Sequence, residues 1–451
     1  MKRNQTAFLI NWINSKPHKP LIIRGARQVG KTWLIRDLAS SLQKKLVELN
    51  FEKRPDLESL FKSNDPREIL YNISTVMNIN IDPSTSILFL DEIQAVPHLF
   101  EKLRWFAEDL SELPVVAAGS LLDFALAKHE FGMPVGRIGY LYLEPLSFKE
   151  FLDAIGQHEL RVYLENYNWH INIPNIIHTQ LMKFIKEYII VGGMPAAVSS
   201  WATKKSPDII NQLHFDLLST YRDDFTKYNG RLSIEHLESI MSSIPRQLGK
   251  KFTYSDVNYE AKSAPLKQAL DLLTKARICH KVIKTAANGL PLGAEINEKF
   301  LKMILLDCGL CNASLGLTLH QLESISEISM VNSGGIAEQL TGQLLRTIYP
   351  FYVDPSLYYW TREKIGSQAE VDYVIQHENQ IIPLEVKAGK TGTLKSLHQY
   401  MKEKKKLNAI RINSDIPSRT HIKLNDPSNV EYSLLSLPFY LLEELPRLIN
   451  S

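Results

Sequence analysis

Residues 25–32 match the phosphate-loop pattern G-x-x-x-x-G-K-[ST] at every fixed position. An apolar run at residues 21–23 precedes the loop and predicts a short buried strand, and residues 33–39 follow it with a helical pattern. A loop in this setting presents backbone N–H groups and a helix dipole to phosphate. The sequence therefore predicts that ATP or GTP binds at Gly25, Ala26, Arg27, Gln28, Val29, Gly30, Lys31 and Thr32.

Four side chains have predicted roles in binding and hydrolysis of the nucleotide. Lys31 is expected to reach the β- and γ-phosphates, and Thr32 to hold Mg²⁺. Residues 86–92 form an apolar run that ends in Asp91 and Glu92. Because ligands lie at the carboxyl ends of buried parallel strands, we expect Asp91 to bind Mg²⁺ through water and Glu92 to polarise the attacking water. The alternative is a strand followed by a solvated acidic turn.

Ser120 and Arg137 are further candidates for the same site. Ser120 ends a predicted strand, where it either senses the γ-phosphate or caps the following helix, and both roles are compatible. Arg137 precedes another predicted strand, and its charge is a candidate to stabilise the transferring phosphoryl group. It would act in cis or from a neighbouring subunit, and the second case implies a homo-oligomer. The alternative is an ordinary exposed arginine.

Residues 18–150 resemble the prokaryotic AAA-superfamily ATPases that share the segments GxRQVGKT, FLDEIQ and AGS. These segments are residues 25–32, 89–94 and 118–120 here. The resemblance continues through GGMP at residues 192–195 and DCGL at residues 307–310 to about residue 400. It implies a parallel P-loop sheet over residues 1–150, ATP and Mg²⁺ as cofactors, and a C-terminal domain of unknown function 4143.

Composition agrees with a multidomain protein, since the chain has 451 residues and 44% of them are hydrophobic. No apolar run reaches the length of a membrane span, and the N-terminus has no signal-peptide cleavage site. These features predict a cytoplasmic location and no membrane partner. Cys279, Cys308 and Cys311 are too few for a disulfide framework, and a lone C-x-x-C does not predict zinc. A formal net charge of +3 indicates no particular partner.

The pattern changes twice beyond residue 150. Residues 151–230 read mostly as helices, in the position of the helical lid of AAA-type ATPases. Residues 231–315 read as three helices and a hairpin turning at Asn288-Gly289, which is the element order of a winged helix. Because many winged helices bind DNA and others bind proteins, DNA is a candidate partner. The basic side chains of the third helix are few: Lys267, Lys275 and Arg277.

Residues 316–451 contain a second candidate site. Glu338 lies in a predicted helix and Asp372 in the first strand of a predicted hairpin, and Glu385 and Lys387 share one face of the second strand. This order resembles the PD-(D/E)xK nuclease core, although Val371 stands where the nominal motif has proline. The resemblance implies that Asp372 and Glu385 share Mg²⁺ or Mn²⁺ with Glu338 nearby, while Lys387 orients or activates water. An ordinary exposed strand face is the alternative.

The sequence therefore predicts an α/β protein with four parts: a P-loop AAA-type ATPase domain, a helical lid, a winged-helix domain and a PD-(D/E)xK-like α/β domain. Two functions are compatible with this organisation. In the first, the ATPase couples its nucleotide state to a nuclease-like domain that binds or cuts DNA. In the second, it is a switch or scaffold whose C-terminal domain binds a protein and has no nuclease activity. The four retained acidic and lysine positions favour the first, and the few basic residues favour the second.

Overall fold

The computed structural model describes residues 1–119, 132–225, 233–317, 333–362, 369–390, 392–424 and 429–450. Ser120 lies outside the described residues. Within these ranges, no helix is both long enough and apolar enough to span a membrane.

Strands and helices alternate at the start of the chain, helices dominate its middle, and strands dominate its end. The described helices are α1 (Gln5–Asn14), α2 (Lys31–Ser41), α3 (Pro66–Met77), α4 (Leu99–Asp109), α5 (Phe148–Ala154), α6 (His158–Asn166), α7 (Asn175–Val191), α8 (Pro195–Lys204), α9 (Pro207–Asp223), α10 (Ile234–Ser243), α11 (Ser263–Lys275), α12 (Cys308–Ser314), α13 (Ser333–Thr347), α14 (Lys395–Lys404) and α15 (Leu445–Ile449). The described strands are β1 (Leu21–Arg24), β2 (Lys45–Asn50), β3 (Ser86–Asp91), β4 (Val115–Ala118), β5 (Gly139–Tyr142), β6 (Cys279–Thr285), β7 (Ile296–Leu305), β8 (Leu357–Thr361), β9 (Glu370–His377), β10 (Gln380–Val386), β11 (Asn408–Asn413), β12 (Ser418–Leu424) and β13 (Val430–Pro438).

Five parallel strands form the N-terminal sheet in the order β2-β3-β4-β1-β5. Because side chains alternate along a strand, Leu21 and Ile23 join one hydrophobic cluster and Ile22 joins another on the opposite face. Helices α1 and α2 contribute to the first cluster, and α3 and α4 to the second. Burial of both faces confirms the parallel sheet that the continuous apolar runs predict.

Helices α5 to α9 occupy the region predicted to form a lid. Ser147 and Glu150 form a capping box at the start of α5, in which each side chain accepts a hydrogen bond from the other's backbone N–H. The preceding residue, Leu146, donates its N–H to the carbonyl of Gly193 at 2.7 Å and accepts a hydrogen bond from the Tyr188 hydroxyl at 2.5 Å. These bonds fix the helical segment to the chain that leaves β5.

The second sheet has eight strands in the order β12-β13-β11-β10-β9-β8-β6-β7. Strands β6 and β7 form the antiparallel hairpin that the sequence predicts as a wing. Strand β6 also pairs in parallel with β8, with Val282 opposite Leu357. One hydrogen-bonded sheet therefore crosses the predicted domain boundary at residues 315 and 316.

The helices before this hairpin differ from the prediction in one place. Helices α10 and α11 lie where the sequence predicts the first and third helices of a winged helix. The predicted second helix is wrong, since only a single 3-10 turn, Tyr254–Asp256, is present there. The reason is local: the Asn258 side chain accepts hydrogen bonds from the N–H groups of Glu260 and Ala261 and turns the chain away.

Strands β9 and β10 form the antiparallel hairpin at the centre of the C-terminal sheet, and β10 pairs in parallel with β11. The hairpin turns at Glu378, which has a φ of 49°. Helix α13 packs on one face through Leu340 and Leu344, and α14 packs on the other through Leu397 and Met401. The two helices thereby bury both sides of the hairpin that carries Asp372 and Glu385.

Candidate functional site

The phosphate loop follows β1 and leads directly into α2. A Cβ atom on Gly25 would lie 2.5 Å from the carbonyl oxygen of Leu143, so only glycine fits there, and Gly30 has a φ of +96°. The ammonium of Lys31 donates hydrogen bonds to the carbonyls of Gly25 at 3.0 Å and Ala26 at 2.8 Å. Burial lowers the pKa of Lys31 to about 8, against the opposing effect of Glu92 and Asp91. An anionic phosphate beside this ammonium would favour its charged form.

Hard oxygen ligands lie together beside the loop. The Thr32 hydroxyl lies 3.3 and 3.4 Å from the carboxylate oxygens of Asp91, at the carboxyl end of β3. Burial raises the pKa of Asp91, and the neighbouring Glu92 charge adds to this rise. A hydroxyl and a carboxylate are the oxygen donors that Mg²⁺ prefers, so these residues fit a magnesium ion bound with nucleotide.

Asn50 is a site residue that sequence reasoning missed. Its side-chain amide donates a hydrogen bond to Asp91 at 3.0 Å, and Asn50 lies directly opposite Asp91 across β2 and β3. The sequence does show a polar residue at the end of a predicted strand. It indicates a site residue only if β2 and β3 are known to be neighbours in the sheet.

Glu92 is held in an unusual backbone conformation beside Asp91. Its φ of 51° and ψ of 43° lie in the left-handed region, which non-glycine residues seldom adopt. The amide of Gln94 donates a hydrogen bond to the Glu92 carboxylate at 2.5 Å. The strained backbone and the amide contact together fix the direction of this carboxylate at the edge where a nucleotide would lie.

The helical segment contacts the phosphate loop directly. The guanidinium of Arg27 forms an ion pair with Asp224, which immediately follows α9. The hydroxyl of Tyr221 donates a hydrogen bond to the Arg27 carbonyl at 2.8 Å. Pro195, at the start of α8, lies 3.5 Å from the position that a Cβ atom on Gly30 would take. Movement of helices α8 and α9 would therefore displace the phosphate loop.

Arg137 lies at the end of the first sheet opposite the phosphate loop. It precedes Gly139, which pairs with Leu21 at the start of β1, whereas the phosphate loop follows the end of β1. Its guanidinium lies 2.7 Å from the Glu108 carboxylate at the end of α4. The geometry contradicts the predicted action in cis, because the sheet separates Arg137 from the loop, and action from a neighbouring subunit stays a prediction.

An ion network joins the N-terminal sheet to the C-terminal one. The Glu144 carboxylate lies just beyond β5 and accepts hydrogen bonds from Arg346 at 2.8 Å and Arg277 at 3.2 Å. All three side chains are buried. Burial alone would raise the pKa of Glu144, but Arg346 and Arg277 outweigh it and hold the pKa well below the ordinary value. The arginines come from α13 and from the turn before β6, so the network crosses between domains.

The structure brings the C-terminal candidates onto neighbouring elements. Asp372 accepts a hydrogen bond from the backbone N–H of Val386 at 2.7 Å, and Lys387 forms an ion pair with Glu385 at 2.7 Å. Burial first, and then the charge of Asp372, raise the pKa of Glu338 to about 8 and that of Glu385 to about 7. The candidates therefore lie on neighbouring elements as largely buried side chains rather than on an ordinary exposed strand face.

Lys302 of β7 is the second residue that sequence reasoning missed. Its ammonium lies 2.9 Å from Glu338, 2.5 Å from Glu370 and 3.8 Å from Asp372. Its side chain is only 3% exposed. The available signal was a single lysine in the apolar run 301–306, which predicts a buried charge that needs partners.

The C-terminal side chains predicted to bind a metal are not arranged as a set of metal ligands. Among the described residues, no group of three or more His, Cys, Asp or Glu side chains is arranged to hold a metal ion. Asp372 and Glu385 instead contact backbone N–H and ammonium donors. The residues present here therefore do not fit the Mg²⁺ or Mn²⁺ that the resemblance implies.

Comparison with protein families divides the chain into three matched regions. Residues 17–152 match an AAA domain, residues 182–321 match a domain of unknown function (DUF8612), and residues 333–428 match a domain of unknown function (DUF4143). The GGMP and DCGL segments thus fall in the second region rather than in DUF4143. No curated protein matches the chain.

Several solved structures resemble parts of the chain at low identity. ORC2 of Aeropyrum pernix is 13% identical, and the match covers 71% of this chain and 95% of ORC2 with a TM-score of 0.37. The RuvB Holliday junction branch migration motor of Thermotoga maritima is 15% identical over 62% and 87%, with a TM-score of 0.28. The Pif1 helicase of Candida albicans is 16% identical over 40% and 47%, with a TM-score of 0.24. Scores this low assign no function.

The AAA match supports nucleotide binding and hydrolysis, and the phosphate loop, Thr32 and Asp91 lie together at the carboxyl edge of the first sheet. Together, the matches support an AAA-superfamily ATPase that carries a DUF4143 domain at its C-terminal side.

Proposed function

We propose that this protein is an ATP-hydrolysing switch whose nucleotide state changes the arrangement of its C-terminal domain. The observation that carries the proposal is the Glu144 network, because it joins the strand beside the phosphate loop to two buried arginines, one on α13 and one in the turn that leads into β6. The hydrophobic cluster on one face of the first sheet also continues into the C-terminal core. A conformational change at the phosphate loop can thus be transmitted to the C-terminal domain through contiguous packed side chains.

The nucleotide end of this switch uses residues at one edge of the sheet. Lys31 would bind the phosphates, Thr32 and Asp91 would hold Mg²⁺, and Glu92 would orient the attacking water. The bound magnesium would neutralise charge that develops on the phosphoryl oxygens. Gln94 would keep the Glu92 carboxylate in position, and Asn50 would do the same for Asp91.

The connection between the two domains begins at the loop itself. The backbone N–H of Leu143 donates to the Arg24 carbonyl at 2.8 Å, and the Leu143 carbonyl closely approaches Gly25. Arg3 donates to the carbonyls of Val29 at 3.3 Å and Glu144 at 2.6 Å. A displacement of the loop on nucleotide binding would therefore reach Glu144 through the backbone of Leu143 and through the side chain of Arg3.

Hydrogen exchange tests the switch. The Glu92→Gln protein should hold ATP with little turnover, so exchange of α13 and β9 can be compared with and without ATP and Mg²⁺. We expect ATP to change protection in these elements, and Glu144→Gln in the same background to reduce that change. Glu112→Gln, at an exposed site, is the matched control. Equal exchange with and without saturating ATP would contradict the proposal.

We do not favour the metal-dependent nuclease that the sequence predicts, because Glu338, Asp372 and Glu385 do not fit a divalent ion. Only the element order α13-β8-β9-β10-α14-β11 agrees with that prediction, so it is tested directly. The test is cleavage of single- and double-stranded DNA and RNA with Mg²⁺ or Mn²⁺, with and without ATP. Cleavage that Asp372→Ala removes, while ATP hydrolysis survives, would favour the nuclease. If none of these substrates is cleaved, the nuclease is ruled out and the switch or scaffold remains as the function.

We also propose that DNA binds to this protein, at the segment between α10 and α11. The exposed basic side chains Arg246, Lys250 and Lys251 lie close together in the chain between α10 and α11. Such a group would contact the phosphate backbone, and its contribution would fall as salt rises. Fluorescence anisotropy with a labelled duplex should show salt-dependent binding that Lys250→Ala weakens. Binding that is absent at low salt would remove DNA as a partner.

A further inference from the structure

We propose that the ammonium of Lys302 is the resident cation of the C-terminal acidic group and that it excludes a divalent metal from Glu338, Glu370 and Asp372. This inference goes beyond the nucleotide switch and is independent of it, because it concerns side chains of β7, β9 and α13 alone. It bears directly on what the nuclease-like arrangement can do.

The position of the Lys302 ammonium carries the inference. It lies within 3.8 Å of three carboxylates, one from α13 and two from β9, and within 2.9 Å of two of them. The ring of Tyr359 lies 5.4 Å from the same nitrogen. The ammonium is therefore the centre that these carboxylates share, which is the place that a bridging cation would take.

The backbone keeps this lysine in place. Lys302 lies opposite Val282 within the β6–β7 hairpin, and its neighbours Leu301 and Met303 are buried. Its side chain is 3% exposed, so the ammonium does not reach solvent in this arrangement. A divalent ion at 2.0 to about 2.6 Å from the same oxygens would face the ammonium at close range. Two cations at that separation in a buried site repel each other strongly.

The remaining carboxylate of the predicted metal set also has an ammonium of the protein on one of its oxygens. Lys387 contacts Glu385 at 2.7 Å, so the predicted water-activating lysine forms an ion pair with a predicted ligand. Each of Glu338, Asp372 and Glu385 thus lies near an ammonium from the same chain. The arrangement retains the residue order of a nuclease core, while two ammoniums of the same chain lie among its four carboxylates.

Mn²⁺ binding to the full chain, measured by electron paramagnetic resonance without nucleotide, tests this assignment. Lys302→Met removes the charge but keeps side-chain length, and we expect it to bind Mn²⁺ at least 10-fold more tightly than the parent protein. The added site should disappear in Lys302→Met combined with Asp372→Asn. Lys299→Met, at an exposed position of the same strand, is the matched control and should bind as the parent does.

Two further arms keep the test decisive if Lys302→Met does not fold. Lys302→Met combined with Glu370→Gln leaves fewer unpaired carboxylates and should still gain a Mn²⁺ site at Glu338 and Asp372. The parent protein and Asp372→Asn, which both retain Lys302, should bind Mn²⁺ equally. Mn²⁺ binding by the parent that Asp372→Asn removes would overturn the inference. A folded Lys302 variant that gains no Mn²⁺ site would overturn it as well.

Discussion

The carboxylate of Asp307 accepts a hydrogen bond from the backbone N–H of Gly193 at 2.6 Å. A Cβ atom on Gly192 would lie 2.0 Å from the same carboxylate. Asp307 also caps α12, because its side chain accepts a hydrogen bond from the N–H of Leu310. The two segments GGMP and DCGL therefore meet and join the helical segment to the chain that follows β7.

We predict that Gly193→Ala destabilises the protein by roughly 1–3 kcal/mol, the usual range for forcing atoms into a packed interior. A Cβ atom there would lie 2.2 Å from the Leu146 carbonyl, which belongs to rigid backbone. Urea unfolding gives the measurement. Gly289→Ala is the control, because a Cβ atom at Gly289 would meet nothing within 4 Å. Equal midpoints for the two variants would refute the close contact.

Lys31→Ala should abolish tight ATP binding. Lys31 is the loop cation whose ammonium already lies against the carbonyls of Gly25 and Ala26, and its loss removes the charge that faces the phosphates. Calorimetric titration with ATP and Mg²⁺ measures the effect, with the exposed Lys45→Ala as control. Unchanged affinity in the Lys31 variant would rule out this site.

Glu92→Gln should bind ATP almost normally and hydrolyse it at least about 10²-fold more slowly, in the range for losing a general base. The amide keeps the shape of the side chain, and Asp91 still supports Mg²⁺. Steady-state phosphate release measures turnover, and a titration measures binding. Hydrolysis at the parent rate would show that Glu92 has another role.

Arg27→Ala and Asp224→Ala should be energetically coupled. Their ion pair joins the phosphate loop to the end of α9, and only the arginine is partly exposed, at 30% against 7% for Asp224. A double-mutant cycle in urea should give a coupling free energy of about 0.5–3 kcal/mol. Additive effects would mean that the helical segment does not depend on this contact.

Glu144→Gln should lower the free energy of unfolding by roughly 3–5 kcal/mol, because it removes the buried charge that both arginines share and leaves them only the half-exposed Asp354. The folded pKa of Glu144 lies below its ordinary value of 4.5. The stabilisation is therefore complete above that ordinary value and is lost as pH falls through the lower folded pKa. Unfolding midpoints between about pH 6 and 3 should fall less steeply in the variant than in the parent. Parallel pH profiles would contradict the network.

Local pattern was sufficient to predict the strands and the helix around the phosphate loop, because each of these elements is a continuous stretch of sequence. The run before the loop became β1, the helical pattern became α2, and the run ending at Asp91 became β3. Each prediction depended on a period or a fixed spacing within a few residues. The AAA match over residues 17–152 confirms the domain that these elements build.

Contacts between residues on different strands or helices could not be predicted from local sequence pattern. Asn50 meets Asp91 only because β2 and β3 are neighbours, and Lys302 meets Glu338 only because β7 lies near α13. Neither order follows from periodicity. Arg137 failed as a cis residue for a different reason: it precedes β5, and the start of a parallel strand lies at the end of the sheet opposite the phosphate loop.

The pairing of β6 with β8 has a consequence for dissecting this protein into fragments. A cut between residues 321 and 333 follows the limits of the matched families, but it would separate the two strands and expose an apolar edge on each piece. Uncovered strand edges recruit other chains, so both halves would aggregate. The smallest part that could be isolated intact on the C-terminal side therefore includes the β6–β7 hairpin.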